Sequence, residues 1–436
     1  MSSALKQKLA SIIPAKRAEV QAILEDSGDH KIADVTVAQA YGGMRGVKCM
    51  VTETSALDPE KGIRFRGYNI PELQRLLPGI EGQPLPEGLF WLLLTGEIPT
   101  AAEAAEVTRA WRASEALPPQ VPRVLDALPP STHPMTQLSL GIMAMQPDSI
   151  FVRRWREGMT KNEHWEAVLD DSMLVLARLP LVAAYIYRRS YRAGRHEPPA
   201  PRELDWAANL AWMMLGRREP GFDALLRLYL TILADHEGGN VSAHATHLVG
   251  SALSDPYLCL AAGINGLAGP LHGLASQEVT RWILEMKQRL GSGVAAPGKI
   301  EAFVRETLAA GQVIPGYGHG VLRATDPRYL AQRAFAERYL PDDENFKIVS
   351  QLYEIVPRVL IEQGKAKNPW PNVDAHTGCL LLHYGVTDYD FYTVLFGVSR
   401  AMGVLASLVW DRALGLPLER PKSVTTEWIK AQLAKV

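Results

Sequence analysis

Apolar residues recur at spacings of three and four along most of this 436-residue chain, and that rhythm constrains the fold more than any other feature. A stripe repeating at that period points one way only on an α-helix, so each such segment must bury one helical face against a neighbour. The pattern runs through roughly 87–96, 100–115, 162–189, 221–234, 272–290, 344–363 and 388–414. Pro14 is expected to open a further helix reaching about Asp26, because at a first helical position its missing N–H has no intrahelical partner to lose. One stretch departs toward strand: VKCMVTET, a turn at LDPEKG, then IRFRGY reads as a small hairpin. The expected fold class is mainly α, with that hairpin near the N-terminus.

Clusters of turn-forming residues at Gly291–Pro297, Gly311–Gly320 and Lys365–Pro371 bracket helices between about 274 and 385. The expected organisation is a large domain over 1–273, a smaller inserted domain over 274–385, and a return to the large domain over 386–436. No repeat of fixed period stands out, which disfavours a solenoid. A formal charge of −1 supplies no broad basic field, so neither nucleic acid nor an anionic membrane is an expected partner. The run Pro256–Gln277 is long enough to span a bilayer, yet it holds Asn265, His272 and several glycines, and reads as buried core. Cys49, Cys259 and Cys379 form no CxxC pair, which argues against a disulfide framework and a thiolate zinc site and fits a reducing compartment. Glu19, Glu25 and Asp26 fit neither a secretory signal nor an acid-poor transit peptide. A cytoplasmic bacterial chain is expected, with a processed chain of the mitochondrial matrix as the alternative.

Three segments concentrate groups able to do chemistry. GPLHGLASQEV, from Gly269 to Val279, places His272 where a proline–glycine turn is expected to open a helix. The positive end of that helix would keep the imidazole a neutral hydrogen-bond donor; a buried histidine at a helix cap is the plainer reading. Asp374 follows the stiff run Asn368-Pro369-Trp370-Pro371 and precedes the apolar segment Ala375–His383. It either caps a helix, worth about 1 kcal/mol, or acts as a desolvated base. A carboxylate that takes a proton from carbon beside a carbonyl needs a donor for the oxygen as the enol forms, and His272 is that kind of group.

His319 lies in PGYGHG, where glycines let backbone approach a ligand closely, although a flexible loop explains the same string. The string lacks the strand–loop–helix setting of a dinucleotide site. Arg323 and Arg328 follow within a few residues, and Arg400 and Arg420 lie further on. Because arginine pairs bidentately with carboxylates, two or three of them suit a small dicarboxylate. Arg400 interrupts VLFGVSRAMGVLASLVW, where an unpaired guanidinium is expensive. DHEGGN, with His236, Glu237 and then His244 and His247, suits a metal only partly and contains no HExxH, so polar packing or direct substrate binding is preferred and no metal is expected.

The strings YGGMRG from Tyr41, LDPEKGIRFRGY, PLPEGLFWLLLTGEIP, DHEGGNVSAH, NGLAGPLHGLASQEV, LFGVSRAMGVL and LPLERPKS together resemble the citrate synthase family, in its dimeric form found in mitochondria and some bacteria. The resemblance covers essentially the whole chain. It implies an almost wholly helical fold whose large and small domains close over a cleft at a homodimer interface. It also implies an acyltransferase of the citrate (Si)-synthase type, which condenses acetyl-CoA with oxaloacetate and hydrolyses citryl-CoA, with no metal or redox cofactor. By the same resemblance Asp374 is the base, His272 stabilises the enol oxygen, and His319 polarises and protonates the oxaloacetate carbonyl. Oxaloacetate would meet His236, Arg328 and Arg400, with Arg420 reaching in from the partner. CoA would lie along Ile314, Gly316 and Gly318, its phosphates near Arg323, Lys367 and, across the dimer, Arg45. Lys161 stands where the family carries a CoA-contacting arginine, which keeps the charge but loses the fork. A 2-methylcitrate synthase acting on propionyl-CoA is the alternative, since one methylene in a pocket is worth only about 1 to 3 kcal/mol.

Overall fold

The computed structural model describes residues 3–434 except 195, 197, 199–202, 292 and 365. Ser292 and Lys365, inside two of the expected breaks, and the outermost residues of the expected large domain therefore lie outside the description. Helix α1 (Ser3–Ser27) buries Leu5, Leu9 and Ile13, spaced four apart, so a single stripe faces the core. That stripe lies N-terminal to Pro14, which consequently sits inside the helix and does not open it as expected. Packing of the stripe overrides the roughly 3 kcal/mol by which proline disfavours a helix interior. After the short helix α2 (Val37–Tyr41) come strands β1 (Ser55–Asp58) and β2 (Gly62–Phe65), paired antiparallel from Ser55 opposite Phe65 to Asp58 opposite Gly62. The expected first strand, VKCMVTET, ends just before β1. Asp58 sets this register, because its Oδ1 accepts from the backbone N–H groups of Glu60 and Lys61 at 2.8 Å each and closes the turn there.

Helix α3 (Ile70–Leu76), a two-residue ladder β3 (Gly79–Ile80) and β4 (Gln83–Pro84), and helices α4 (Pro86–Thr95), α5 (Ala101–Ala113), α6 (Gln120–Asp126), α7 (Pro134–Ala144) and α8 (Ile150–Arg156) lead into the long α9 (His164–Tyr191). Next come α10 (Trp206–Leu215), α11 (Pro220–Ile232), α12 (Val241–Ser251) and α13 (Pro256–Leu267). After them follow α14 (Ala275–Leu290), α15 (Pro297–Ala309), α16 (Pro327–Tyr339), α17 (Glu344–Gln363) and α18 (Asp374–His383), then α19 (Tyr392–Leu414) and α20 (Thr426–Leu433). The second ladder was not foreseen.

Helix α19 packs along α9, and α4, α11, α12 and α13 pack around it. It is long and apolar enough to cross a membrane, but nearly every residue is buried in this core. The apolar run from Pro256 divides into α13, a turn and the start of α14, with α13 packed between α7 and α12. Helices α14 to α18 pack chiefly on one another, α14 against α18, α15 against α17, and both α16 and α17 against α18. They touch the rest mainly through α14 on α19 and α16 on α11, with α16 also against α3. Those two seams bring the start of α18 and the start of α16 up to the middle of α19. Outside the core, α2 buries no residue, Ile32, Val35 and Tyr41 are exposed, and Tyr41 Oη lies 2.8 Å from Thr426 Oγ1 at the start of α20.

Candidate active site

A cavity of about 400 Å³ opens where these seams meet, lined by His236, Asn240, His272, His319, Arg328, Asp374 and Arg400, with Leu57, Leu271 and Phe396 as apolar wall. Apart from His236 and Asn240, which share the break before α12, each polar member comes from a different break or helix, so only the tertiary fold assembles them. Two loops are zipped together to carry His319 and Asp374. Gly318 N–H donates to Trp370 O at 3.0 Å, Asn372 N–H to Gly316 O at 2.9 Å, and Asn372 Nδ2 to Gly318 O at 2.9 Å. Gly316 has φ +79, and a Cβ there would lie 2.8 Å from Ala375 Cα. Its glycine thus serves the packing of loop on α18, while Gly318 lines the cavity.

His272 does not sit at the start of α14 as expected; that helix begins at Ala275, and His272 lies in the preceding turn with its N–H donating to Gly269 O at 3.0 Å. A different helix end touches its ring. The Ser242 backbone N–H, one of the free N-terminal donors of α12, points at His272 Nε2 from 3.2 Å, and Ser242 Oγ lies 2.9 Å from the same atom. A backbone N–H can only donate, so Nε2 presents its lone pair and the proton of the neutral ring is on Nδ1. Burial, and then the Arg400 charge, push the pKa of His272 down to about 4. The ring is therefore a neutral donor at working pH.

His319 is held the same way through the opposite nitrogen. Its Nδ1 accepts from the N–H groups of Val321 and Leu322, both at 3.0 Å, which leaves Nε2–H for the cavity. Burial and the neighbouring Arg328 push its pKa to about 4 as well. His236 stacks obliquely on it, with ring centroids 5.5 Å apart, and its Nε2 is buried without a hydrogen-bond partner among the described residues. Burial, Arg328 and Arg400 hold this third imidazole well below its ordinary pKa.

Arg328 Nε and Nη2 grip Asp326 at 3.0 and 2.7 Å, which leaves the Nη1 protons and the second Nη2 proton for another acceptor. Arg400 is buried and has no carboxylate in contact among the described residues. Its Nε donates to Leu233 O at 3.3 Å, its Nη1 to Asn240 Oδ1 at 3.0 Å, and its guanidinium lies 4.9 Å over the Phe396 ring. Burial lowers its pKa to about 10. Asp235 and Asp374 act on it only from beyond contact, so an anionic ligand that touches the buried guanidinium compensates it further. Asp374 opens α18 without capping it, because no side-chain cap bond forms at that helix start. Burial is the main cause raising its pKa to about 6, against the opposing charges of Arg328 and Arg400, so it is a stronger base than an ordinary aspartate.

Within one chain the remaining candidates stand apart from this cavity. Arg45, Arg323, Lys367 and Arg420 are exposed, and Ile314 is buried in the core. Lys161 lines a second cavity with Trp155, His164 and Leu416. His244 Nε2 lies 2.9 Å from Glu419 Oε1 and His247 Nδ1 2.8 Å from Asp411 Oδ2, so neither joins His236 in a metal shell. Among the described residues no group of three or more histidine, cysteine, aspartate or glutamate side chains is placed to hold a metal ion. Sequence reasoning missed Asn240, Ser242 and Asp326. Asn240 had a readable signal, a capping residue after two glycines at a helix start, and its Oδ1 does accept from Ala243 N–H at 3.1 Å.

Residues 43–422 match the family model described as citrate synthase, C-terminal domain. The chain is 54% identical over 435 residues to the probable mitochondrial citrate synthase of Glossina morsitans morsitans, covering 99% of this chain and 93% of that one. It is 55% identical over 428 residues to the mitochondrial citrate synthase of Xiphias gladius, covering 98% and 91%. Its fold is similar to the crystal structure of citrate synthase from Pyrobaculum aerophilum, with a TM-score of 0.76 and 30% identity over 88% of this chain and 92% of that one. It is also similar to citrate synthase from Thermotoga maritima MSB8, with a TM-score of 0.72 and 26% identity over 90% and 96%.

Proposed function

The chain belongs to the citrate synthase family, and from that premise we propose how its own residues divide the work. It condenses acetyl-CoA with oxaloacetate and hydrolyses the citryl thioester to citrate and CoA; its similarity to named citrate synthases favours this reading over the propionyl-CoA alternative. One observation carries the division of labour. Two histidines each spend one ring nitrogen accepting from backbone, so each offers the other as an N–H donor to a cavity that also holds a carboxylate of raised basicity.

Oxaloacetate binds first, its carboxylates on Arg400 and Arg328 and its carbonyl side toward His236 and His319. Asp374 then removes a proton from the acetyl methyl group while His272 Nδ1–H donates to the thioester oxygen, so the enol forms without full negative charge. The enol carbon attacks the ketone carbon of oxaloacetate, the C=O electron pair moves to oxygen, and His319 Nε2–H passes its proton to that oxygen, the proton that Asp374 took from the methyl group replacing it on the ring by way of water. Water hydrolyses the resulting citryl-CoA. Each developing charge meets a donor of the chain, so the scheme calls for no metal or redox cofactor. The class is that of an acyltransferase of the citrate (Si)-synthase type, its acyl group becoming alkyl on transfer.

We read α14 to α18 as the smaller domain, with the large domain before and after it, closing over the cavity once oxaloacetate is held. We further read the protein as a homodimer in which Arg420 and Arg45 serve the partner's site. The exposed apolar residues of the α2 segment, and Trp428 and Val424 near it in the C-terminal arm, support such a partner. CoA would follow the loop at Ile314, Gly316 and Gly318, with Arg323, Lys367 and the partner's Arg45 about its phosphates and Lys161 as a further CoA contact. The mitochondrial names of the relatives favour the matrix alternative over the cytoplasmic expectation.

Thiol release tests the activity. Asp374→Ala should lower turnover at least about a hundredfold with oxaloacetate affinity little changed. Paired kcat/KM values for acetyl-CoA and propionyl-CoA test the acyl choice, and a propionyl preference would overturn it.

A further inference from the structure

We propose that Ser55 and Gly403, neither of which lines the cavity, are positioning residues for oxaloacetate that fix the Asp235–Glu237 turn on helix α19 and thereby set His236 against Arg400. The turn does not hold its shape unaided. Glu237 has φ +53, a left-handed conformation that costs a non-glycine residue about 1 kcal/mol or more. Its stability must come from neighbours. The buried Asp235 carboxylate accepts from Thr54 Oγ1 at 2.6 Å, Ser55 Oγ at 2.8 Å and His236 N–H at 3.0 Å. Ser55 Oγ in turn accepts from Glu237 N–H at 2.8 Å. A hydroxyl has one proton and two lone pairs, so this single group donates to the residue before His236 and accepts from the residue after it.

Gly403 forms the floor. It lies three residues after Arg400 in α19, on the same side of the helix. A Cβ at this position would stand 2.3 Å from Ala234 O and 2.6 Å from Asp235 Cβ, and any side chain there would push the turn off the helix. Glycine in a helix interior is less favourable than alanine by about 1 kcal/mol, so its presence here is accounted for by the closeness it permits. The spacing matters because His236 Nε2 is buried and without a hydrogen-bond partner among the described residues, while Arg400 has no carboxylate in contact among them. Both are completed by one ligand only if they stay in register.

The inference rests on the reading of His236 as an oxaloacetate ligand. Its test uses the full-length enzyme with Ser55→Ala, Ser55→Thr, Gly403→Ala and His236→Ala, measuring KM for each substrate, kcat, oxaloacetate binding by calorimetry, and Tm. Ser55→Ala removes two buried hydrogen bonds and should raise KM and Kd for oxaloacetate about tenfold or more, with KM for acetyl-CoA and kcat at saturation within about threefold. Ser55→Thr keeps the hydroxyl and should restore the oxaloacetate values. Gly403→Ala should act in the same direction; if it fails to fold, the serine pair decides. Folded Ser55→Ala with unchanged oxaloacetate KM, or with all parameters falling together, overturns the positioning role. Undiminished oxaloacetate binding in His236→Ala removes instead the reading on which it rests.

Discussion

Replacing Arg400 by methionine should separate ligand binding from stability. The guanidinium already spends Nε on Leu233 O and Nη1 on Asn240 Oδ1, so its Nη2 protons are the ones left for a substrate carboxylate. Two charge-assisted hydrogen bonds at about 1.5 to 3 kcal/mol each come to roughly 3 to 6 kcal/mol, a hundredfold to ten-thousandfold in affinity. Methionine fills the stem's volume without a charge. In the ligand-free protein Arg400 is a buried cation with no carboxylate in contact, so its removal should leave Tm unchanged or higher. The variant should also raise the pKa of His272, which the Arg400 charge now depresses. Calorimetry with oxaloacetate, thermal unfolding without ligand, and NMR titration of His272 read the three effects. Oxaloacetate affinity within about threefold of the parent, or a Tm that falls sharply while affinity holds, would refute the assignment of Arg400 as a substrate cation held without a carboxylate in contact.

Asp374 links activity and stability to pH. Burial raises its folded pKa from 3.8 to about 6, so the folded state holds a proton that the unfolded chain gives up across that window, and stability falls as pH rises through it. Asp374→Asn should therefore gain Tm over the parent above about pH 6, a gain that vanishes below about pH 4; equal Tm differences at all pH values would contradict this. Turnover of the parent should fall about tenfold per unit below about pH 6 as the base is protonated, which a pH profile of kcat/KM for acetyl-CoA checks. Prolonged treatment with EDTA should leave thiol release intact, and loss that zinc restores would mean the scheme lacks a metal.

Much of the fold was legible because long amphipathic helices announce themselves. The rhythm over 87–96 became α4 at Pro86–Thr95, and that over 344–363 became α17 with the same limits. Helix α16 escaped because its buried side includes Arg328 and Gln332, the latter bonded to Thr377 Oγ1 at 3.0 Å, and buried polar pairs leave no apolar stripe to read. Pro14 misled because tertiary packing of Leu5, Leu9 and Ile13 outweighed the local rule for proline. At the site, the residues with rare chemistry, His236, His272, His319, Arg328, Asp374 and Arg400, do line one cavity. Their supports did not show. Ser242 lies thirty residues before His272, and nothing local marks its N–H as the group that decides which ring nitrogen carries the proton. His272 does meet the positive end of a helix, but that end belongs to α12 and not to α14.

If Asp374 and His272 together make the enol of acetyl-CoA once the oxaloacetate site is filled, the methyl protons must exchange with solvent before any carbon–carbon bond forms. Deuterium uptake from D₂O into the acetyl-CoA methyl group, followed with a non-reacting oxaloacetate analogue bound, isolates that step from condensation and hydrolysis. The parent should exchange, while Asp374→Ala and His272→Ala should bind the analogue normally and lose exchange by at least about a hundredfold. Exchange retained at the parent rate in either variant would contradict the account.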